Sequence, residues 1–424
     1  MKLGSVNSRR AARRLWGGLI WASPGQIDAG LASFATFAAG IFSIRFLPPA
    51  SLGVYGLLFA AFQVANQVST ELVFIPSQVL ALSQSNQLRL GMVRNSIPRG
   101  SAIAGLAAIF VPIGAIPVIQ AVSTNAFAAL ALTATFLAFV SPIQDHLRSM
   151  FHLTTRSWLA AFMSIVHLLV TGAGLAFGSV SDPTWAPFGA LAIGNVASLC
   201  FAAVMIRRIA PEISPRPSRS ELTSLGGWLL VTGFVRTASS YVTRVLLNAI
   251  AGIASLGFVE AARIVSQPIN VLALGLMAQV GPRLTRASAS KEGKEAKRWR
   301  RRFYFLLAAI ALPYVLLTAA PWPINPLAVI TPRAYESAGL TAAMLIAVTT
   351  ACVLRPLRAE LLGIRRQRSI AGVGTLSSLM EIFIVFAGAV LGSFVIPLGL
   401  FVGAVTAALL YGRILRGIYK EFDL

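Results

Sequence analysis

Charged residues are scarce in this chain of 424 residues. Asp, Glu, Lys and Arg together make up 12% of the sequence, against about 25% in soluble domains, while hydrophobic residues reach 56%. So few polar side chains cannot cover a surface that faces water. The composition therefore excludes a soluble globular protein and predicts a protein embedded in lipid.

Residues on which many enzymes depend are also few. There are 2 cysteines and 3 histidines, and Cys200 and Cys352 each stand alone in an apolar segment, which argues against a disulfide framework or a metal site. The sequence contains no GxxxxGK[ST], D-x-D or H-E-x-x-H motif. No histidine stands near a candidate nucleophile and carboxylate. We therefore expect a protein that is not an enzyme, has no catalytic residues and needs neither a metal nor a cofactor.

Apolar runs take up most of the chain instead. Runs of about 17 to 25 residues are long enough to cross the hydrocarbon core of a bilayer as helices. We count twelve, at 25–45, 53–80, 101–121, 126–143, 158–179, 186–206, 228–250, 255–281, 303–320, 339–355, 370–392 and 395–412. The predicted fold class is an all-α polytopic membrane protein with about 12 transmembrane helices.

The positions of the basic residues predict the orientation. Most of the 36 Lys and Arg residues fall in segments that share one side of the membrane with the N-terminus. Cytoplasmic loops accumulate such residues, so we predict a multi-pass protein of the cell inner (cytoplasmic) membrane with both termini cytoplasmic. The net charge of +22 then reflects an inner surface that faces anionic lipid, and no nucleic-acid partner is needed.

A short repeat indicates internal duplication. The tetrapeptide ASLG occurs at 50–53 and again at 254–257, and six predicted spans separate the copies. An even number of intervening spans gives both following helices the same direction, as in a parallel repeat whose axis runs along the membrane normal. We therefore predict two pseudo-symmetric six-helix bundles, at 1–206 and 228–424, joined by a cytoplasmic linker at 207–227 that is rich in Pro, Ser and Arg.

Polar side chains inside the predicted spans are candidate binding residues. They cost free energy in hydrocarbon unless they face protein or water. One face of span 8 carries Glu260, Arg263, Gln267 and Asn270. In the first copy of the repeat, Gln63 and Asn66 stand at the positions of the two amides, whereas the uncharged Gly56 and Phe59 stand at the positions of Glu260 and Arg263. Span 7 adds Arg236 and Arg244. Asp28 and Glu71 are candidate sites for a coupling proton or sodium ion.

Two interpretations of the buried charges remain open. Glu260 can pair with Arg263 one turn away, and Arg236 or Arg244 with an acid on a neighbouring helix. Alternatively, the three arginines line a cationic, water-filled cavity, because guanidinium groups suit an anionic cargo.

Several motifs resemble those of a known family. The run GQIDAGLASFATFAAGIFSIRFLPPASLGVYGLLFAAFQV is similar to the first two spans of polysaccharide and O-antigen flippases, which belong to the multidrug/oligosaccharidyl-lipid/polysaccharide exporter (MOP) superfamily. The corner between these spans is carried by Arg45, Leu47, Pro49, Leu52, Gly53 and Tyr55, and its second-half counterpart by Leu256, Gly257 and Ala261, with Val259 in place of the usual Tyr. PWPINPLAVITPRAYESAGLTAAML resembles a further family motif, although Thr331 replaces the usual Gly. The resemblance implies a V-shaped pair of bundles that works by alternating access.

The functional hypothesis follows from this resemblance and from the buried arginines. We expect a flippase that moves lipid-linked oligosaccharide from the inner to the outer leaflet, with Arg236, Arg244 and Arg263 on the pyrophosphate. The four amides would face the sugar or lock the bundle. Expected partners are the lipid-linked glycan, membrane lipid, and a glycan polymerase or other assembly proteins.

Two other functions remain open. The first is a proton- or sodium-coupled multidrug or cation antiporter of the same superfamily, which would use Asp28 or Glu71. The second is a non-transporting membrane scaffold of a glycan-assembly complex, in which all buried charges are paired.

Overall fold

A computed structural model of the protein describes residues 24–82, 84–209, 218–320, 325, 331–335 and 338–421, and these residues contain helices but no strands. The helices are α1 Pro24–Phe46; α2, made of Pro49–Ser69, a π-helical turn Thr70–Phe74 and Ile75–Ala81; α3, made of Asn86–Ala108 and Phe110–Gly114; α4 Thr124–Leu153; α5 Ser157–Val180; α6 Ala186–Ile209; α7 219–251; α8 253–289; α9 Gly293–Thr318; α10 Ala338–Gly363; α11 Gln367–Ala387; and α12 Val395–Glu421. Short 3₁₀ turns lie at Ile116–Ala121, Arg333–Tyr335 and Ala389–Phe394.

The described residues form 11 helical stretches that are long and apolar enough to cross a membrane. One of these stretches, Arg219–Ala289, is interrupted at Gly252, whose φ of 80° and ψ of 165° are not helical. Counting α7 and α8 separately gives the twelve spans expected from the sequence. The predicted fold class, an all-α polytopic membrane protein, is confirmed. The central part of the predicted linker, 210–217, lies outside the described residues.

Three loops at one end of the helices share a backbone conformation. Thr155, Lys291 and Arg365 each have φ near +60°, and the next residue donates its N–H to a carbonyl five positions earlier. This is a helix C-terminal turn in which glycine is usual. The α4–α5 and α10–α11 loops hold equivalent places in the two halves, so their shared turn agrees with the repeat. We call the end of the molecule that carries these three turns the basic face.

Helices α2 and α8 cross near the opposite face. Gly53 packs against the backbone of Ile253, and Gly257 packs against the backbone of Pro49. Within the repeat, position 49 is equivalent to 253 and position 53 to 257. Reciprocal contacts of this kind are the mark of a two-fold interface. The glycine of each ASLG copy is therefore the place where the backbones of the two halves meet.

Two further contacts lie on the same pseudo-two-fold axis. Glu260 packs against Gly56, and the guanidinium carbon of Arg263 lies 4.8 Å from the centre of the Phe59 ring. In both cases a residue meets its own counterpart from the other half. A side chain at position 56 would overlap Glu260. The absence of a side chain in the first half therefore makes room for a charge in the second.

Two tyrosines hold the halves together toward the opposite face. The Tyr335 hydroxyl donates to the Leu47 carbonyl over 2.6 Å, and Tyr241 donates to the carbonyl of Gly114 over 2.7 Å. Burial raises the pKa of the Tyr335 phenol, so this group keeps its proton and remains a donor. The two halves are thus bonded together at the face remote from the basic loops.

At the basic face, a buried carboxylate joins three helices of the second half. Both oxygens of Glu360, which has no exposed surface, accept from Nη1 of Arg300 at 3.0 Å. The Tyr419 hydroxyl donates to the same carboxylate at 2.9 Å. This network connects α9, α10 and α12.

The glycine contact can be tested by adding one methyl group. Gly53→Ala and Gly257→Ala each place a Cβ against a backbone carbonyl, and overpacking of this kind costs about 1–3 kcal/mol. We expect both variants to lower the thermal unfolding midpoint of the detergent-solubilised protein, by similar amounts. Gly30→Ala is the control, because nothing lies within 4 Å of the Cβ it would add. Unchanged midpoints in the first two variants would contradict the close approach.

Candidate functional site

A cavity with two adjoining compartments lies between α2 of the first half and five helices of the second. The deeper compartment, about 570 Å³, is lined by residues of α7, α8, α10, α11 and α12 together with Gln63 of α2. The larger, about 810 Å³, extends from Gln63 to Gln367, the first residue of α11. Both compartments include Arg236 and Arg358. The cavity therefore runs from Gln63 toward the basic face.

A buried ion-pair triad forms part of the deep wall. Arg244 donates from Nε to Oε1 of Glu260 over 2.6 Å, and Arg263 donates from Nε to Oε2 over 2.5 Å. Glu260 has no exposed surface. A buried carboxylate is tolerated when it is paired and its remaining lone pairs are satisfied. Glu260 thereby fixes both guanidinium groups at the cavity wall.

The triad leaves one buried donor of Arg263 without a partner in the described part of the chain. Arg263 lines the deeper compartment, and among the described residues its Nη2 has no hydrogen-bond partner. The Nη1 of Arg244 donates to the carbonyl of Ser240 at 2.7 Å. The sequence left internal pairing and a cationic cavity as alternatives, and the structure contains elements of both.

Three more arginines complete the wall. Arg236 has no carboxylate within 4 Å among the described residues and is exposed to the cavity. Arg355 donates from Nη2 to Oδ1 of Asn270 over 2.5 Å. The guanidinium of Arg358 lies 6.0 Å from the Tyr411 ring, and its Nε is buried without a partner in the described part of the chain.

Sequence reasoning missed Arg355 and Arg358. It ended span 10 at residue 355 and counted both arginines with the basic loop that follows, whereas α10 continues to Gly363. The spacing of 3 between Arg355 and Arg358 could have indicated their location, because it places both on one face of a helix. Ala351 and Leu362 lie on the same face, and all four residues line the cavity.

The charge of the cavity is strongly asymmetric. Five arginines but only one carboxylate, that of Glu381, line the deeper compartment among the described residues. Glu260 is fully buried and does not line it. The five arginines are Arg236, Arg244, Arg263, Arg355 and Arg358. The larger compartment adds Glu71. The arrangement is suited to an anion held by several guanidinium groups.

The amides matched by the repeat all reach this cavity. Gln63 and Gln267 line the deeper compartment together, and Asn66 lines the larger one with a buried Oδ1 that has no partner in the described part of the chain. Asn270 also lines the deeper compartment, where it accepts from Arg355. The sequence predicted these positions as a set, and the structure gathers them around one space.

The candidate coupling residues occupy different places. Glu71 lies in the π-helical turn of α2, where Pro76 removes an N–H from the ladder, and it accepts a hydrogen bond from Gln67 in the larger compartment. Asp28 lies outside the central cavity, buried within the first half. Its oxygens accept from Ser164 at 2.5 Å and contact His152 Nε2 at 2.8 Å and Arg148 Nε at 3.5 Å.

Metal binding has no support in the described ranges, where no three His, Cys, Asp or Glu side chains are grouped to hold an ion.

No family model and no curated protein sequence matches the chain. Solved structures do match, over nearly the whole length. An inward-facing multidrug resistance MATE family transporter of the MOP superfamily is 16% identical with a TM-score of 0.65, covering 94% of this chain and 96% of its own. The lipid II flippase MurJ in an inward closed conformation is 14% identical with a TM-score of 0.67, covering 92% and 87%.

A third structure is a MOP superfamily transporter from Pyrococcus furiosus, described as having a binding pocket of reversed polarity that suggests a different function. It is 14% identical with a TM-score of 0.58, covering 94% of each chain. At these identities the likeness shows the fold, which is that of MOP superfamily transporters, and agrees with the resemblance found in the sequence.

The triad makes a prediction about stability. Glu260→Ala leaves the buried guanidinium of Arg244 and the half-buried guanidinium of Arg263 without their shared carboxylate, and breaking a buried ion pair from one side costs about 3–5 kcal/mol. We expect a large drop in the thermal unfolding midpoint. The control is Glu381→Ala, which removes a carboxylate that is partly exposed to the cavity. Equal, small effects in the two variants would show that Glu260 does not hold the deep wall.

Proposed function

We propose that the chain is a membrane transporter that flips an anionic, lipid-linked glycan between leaflets. The observation that carries this proposal is the set of five arginines around the deeper compartment, with unpartnered donors on Arg263 and Arg358. A pyrophosphate group offers several acceptor oxygens, and guanidinium groups bind such oxygens through charge-assisted hydrogen bonds. The fold shared with solved MOP superfamily transporters supports the assignment to transport.

The arginines divide the work of binding. Arg244 and Arg263 are fixed by Glu260, so they present charge in a set position. Arg236, Arg355 and Arg358 have no carboxylate partner within 4 Å among the described residues and are available to close on the ligand. Preorganised and adaptable cations together bind an anion without leaving a buried charge unpaired.

Alternating access requires that the cavity be open to one side of the membrane and closed to the other. The cavity extends to the basic face, which we assign to the cytoplasm, and the Gly53 and Gly257 contacts close the opposite side. In the proposed cycle the pyrophosphate and sugar enter from the basic face while the lipid tail stays in the bilayer. The α2–α8 contact then parts and releases the cargo on the other side.

The other candidate functions receive less support. A cation antiporter would favour acidic groups at its binding surface, whereas here the carboxylates lining the cavity are outnumbered. The similar Pyrococcus furiosus transporter, with its pocket of reversed polarity, supports the idea that the polarity of the pocket differs among proteins of this fold. A scaffold with all its charges paired does not account for Arg236, which has no carboxylate within 4 Å in the described ranges.

Anion binding is tested by removing cations singly. Arg236→Gln and Arg358→Gln should each weaken binding of undecaprenyl pyrophosphate to the purified protein by about tenfold or more, since a hydrogen bond to a charged group contributes about 1.5–3 kcal/mol. Arg365→Gln, in the exposed α10–α11 loop, is the matched control and should bind normally.

Normal binding by Arg236→Gln and Arg358→Gln would contradict the proposal. Membrane levels of each variant, measured in parallel, separate loss of binding from loss of protein. Efflux of a cationic dye that depends on Asp28, measured with Asp28→Asn, would instead favour the antiporter.

A further inference from the structure

The first half contains a second polar pocket, separate from the arginine-lined cavity. Its volume is about 250 Å³. Five helices of the first half contribute to its wall, which includes Ser33, Phe59, Gln144, Asp145, Arg148 and Asn195. Polar side chains from this many helices rarely converge within hydrocarbon without a function.

One wall residue has an unused donor. Gln144 is 3% exposed, and its Nε2 has no hydrogen-bond partner among the described residues. Asn195, 4% exposed, lines the same pocket from α6. A buried amide without a partner is costly, and Gln144 lines the pocket, so its unsatisfied Nε2 points to a ligand that accepts from it once the amide turns toward the pocket.

The charge of this pocket differs from that of the central cavity. Arg148 donates from Nη2 to Asp145 at 3.0 Å and lies 3.5 Å from Asp28 through Nε, so its charge is already balanced. The remaining polar groups are hydroxyls, the amides of Gln144 and Asn195, and the imidazole of His167, and each of these groups can both donate and accept. Such a wall suits an uncharged ligand with several hydroxyl groups, and the rings of Phe59 and Phe62 offer it apolar surface.

The pocket lies next to the anion site. Phe59 lines the pocket, and the Arg263 guanidinium carbon is 4.8 Å from the centre of the same ring. One aromatic ring therefore separates the two ligand environments. In a lipid-linked glycan the first sugar is bonded directly to the pyrophosphate, so a cargo that holds its phosphates at Arg263 can place its sugar in this pocket when the Phe59 ring moves aside.

We propose that the pocket at Gln144, Asp145 and Asn195 is a carbohydrate subsite that receives a sugar ring of the transported lipid. This inference rests on the proposed function and adds a division of labour to it. The second half binds the pyrophosphate, and the first half binds the uncharged hydroxyl groups of the sugar. Gln144 and Asn195 donate to and accept from these hydroxyls, Asp145 accepts from them, and Phe59 packs against a ring face.

The test compares lipids with and without a sugar. The probes are undecaprenyl pyrophosphate and its derivatives carrying N-acetylglucosamine, glucose or galactose, bound to the full-length protein in detergent. The wild type should bind at least one sugar-bearing probe about fivefold or more tightly than the sugar-free lipid. Gln144→Leu and Asn195→Leu should abolish that preference and bind the sugar-free lipid within about twofold of wild type, which also shows that the variants are folded.

Arg358→Gln separates the two proposals, because it should weaken binding of every probe by the same factor and keep the sugar preference. A wild type without preference for any sugar-bearing probe, or a preference that survives both Leu variants, overturns the carbohydrate subsite while leaving the anion site standing. Failure of the wild type to bind the sugar-free pyrophosphate overturns the proposed function itself. Binding of tetraphenylphosphonium that is lost in Asp145→Asn would show a cation site instead and would also overturn the subsite.

Discussion

The carboxylate of Glu260, fully buried against Gly56, is the constraint on which the central cavity depends. It requires pairing of both its oxygens, which Arg244 provides from α7 and Arg263 from one turn along α8, and these two arginines leave the triad with a net positive charge. It also requires space, which the first half provides by having no side chain at the equivalent position. Both requirements are met at the point where the two halves meet, so the ion-pair triad and the α2–α8 contact belong to one structural unit.

The duplication explains why this unit is asymmetric. Around the axis, glycine meets backbone reciprocally at Gly53 and Gly257, which preserves the symmetry of the contact. One turn further, Glu260 faces Gly56 and Arg263 faces Phe59, which breaks the symmetry in charge. The second half thus becomes cationic toward the cavity, while the first half keeps a nearly neutral polar pocket on the far side of Phe59. The two environments match the two chemical parts of a lipid-linked glycan.

Much of the fold could be predicted from the sequence, because twelve apolar runs and the ASLG repeat are local patterns with a direct physical meaning. The repeat also predicted an amide pair on matching faces of the two helices, but it left open whether these amides face the cargo or lock the bundle. The sequence identified candidate partners for Glu260 but could not show which arginine of α7 pairs with it, because that pairing depends on how α7 and α8 are rotated about their axes. Arg355 and Arg358 were missed because a span predicted from hydropathy stops at its first charged residues, whereas the helix α10 continues through both arginines. Gln144 and Asn195 lie on separate helices, α4 and α6, and no sequence pattern links them. Their proximity results from tertiary packing and could not be predicted from the sequence.

Translocation by the wild-type protein tests the central claim most directly. The protein would be reconstituted into liposomes with a fluorescent prenyl lipid that bears either a pyrophosphate or a quaternary ammonium head group, and movement between leaflets would be followed by quenching from outside. The account predicts that the protein accelerates the pyrophosphate lipid by at least about tenfold over the ammonium lipid, because the cavity wall is cationic. Faster movement of the ammonium lipid, or no acceleration of the pyrophosphate lipid over protein-free liposomes, would contradict it.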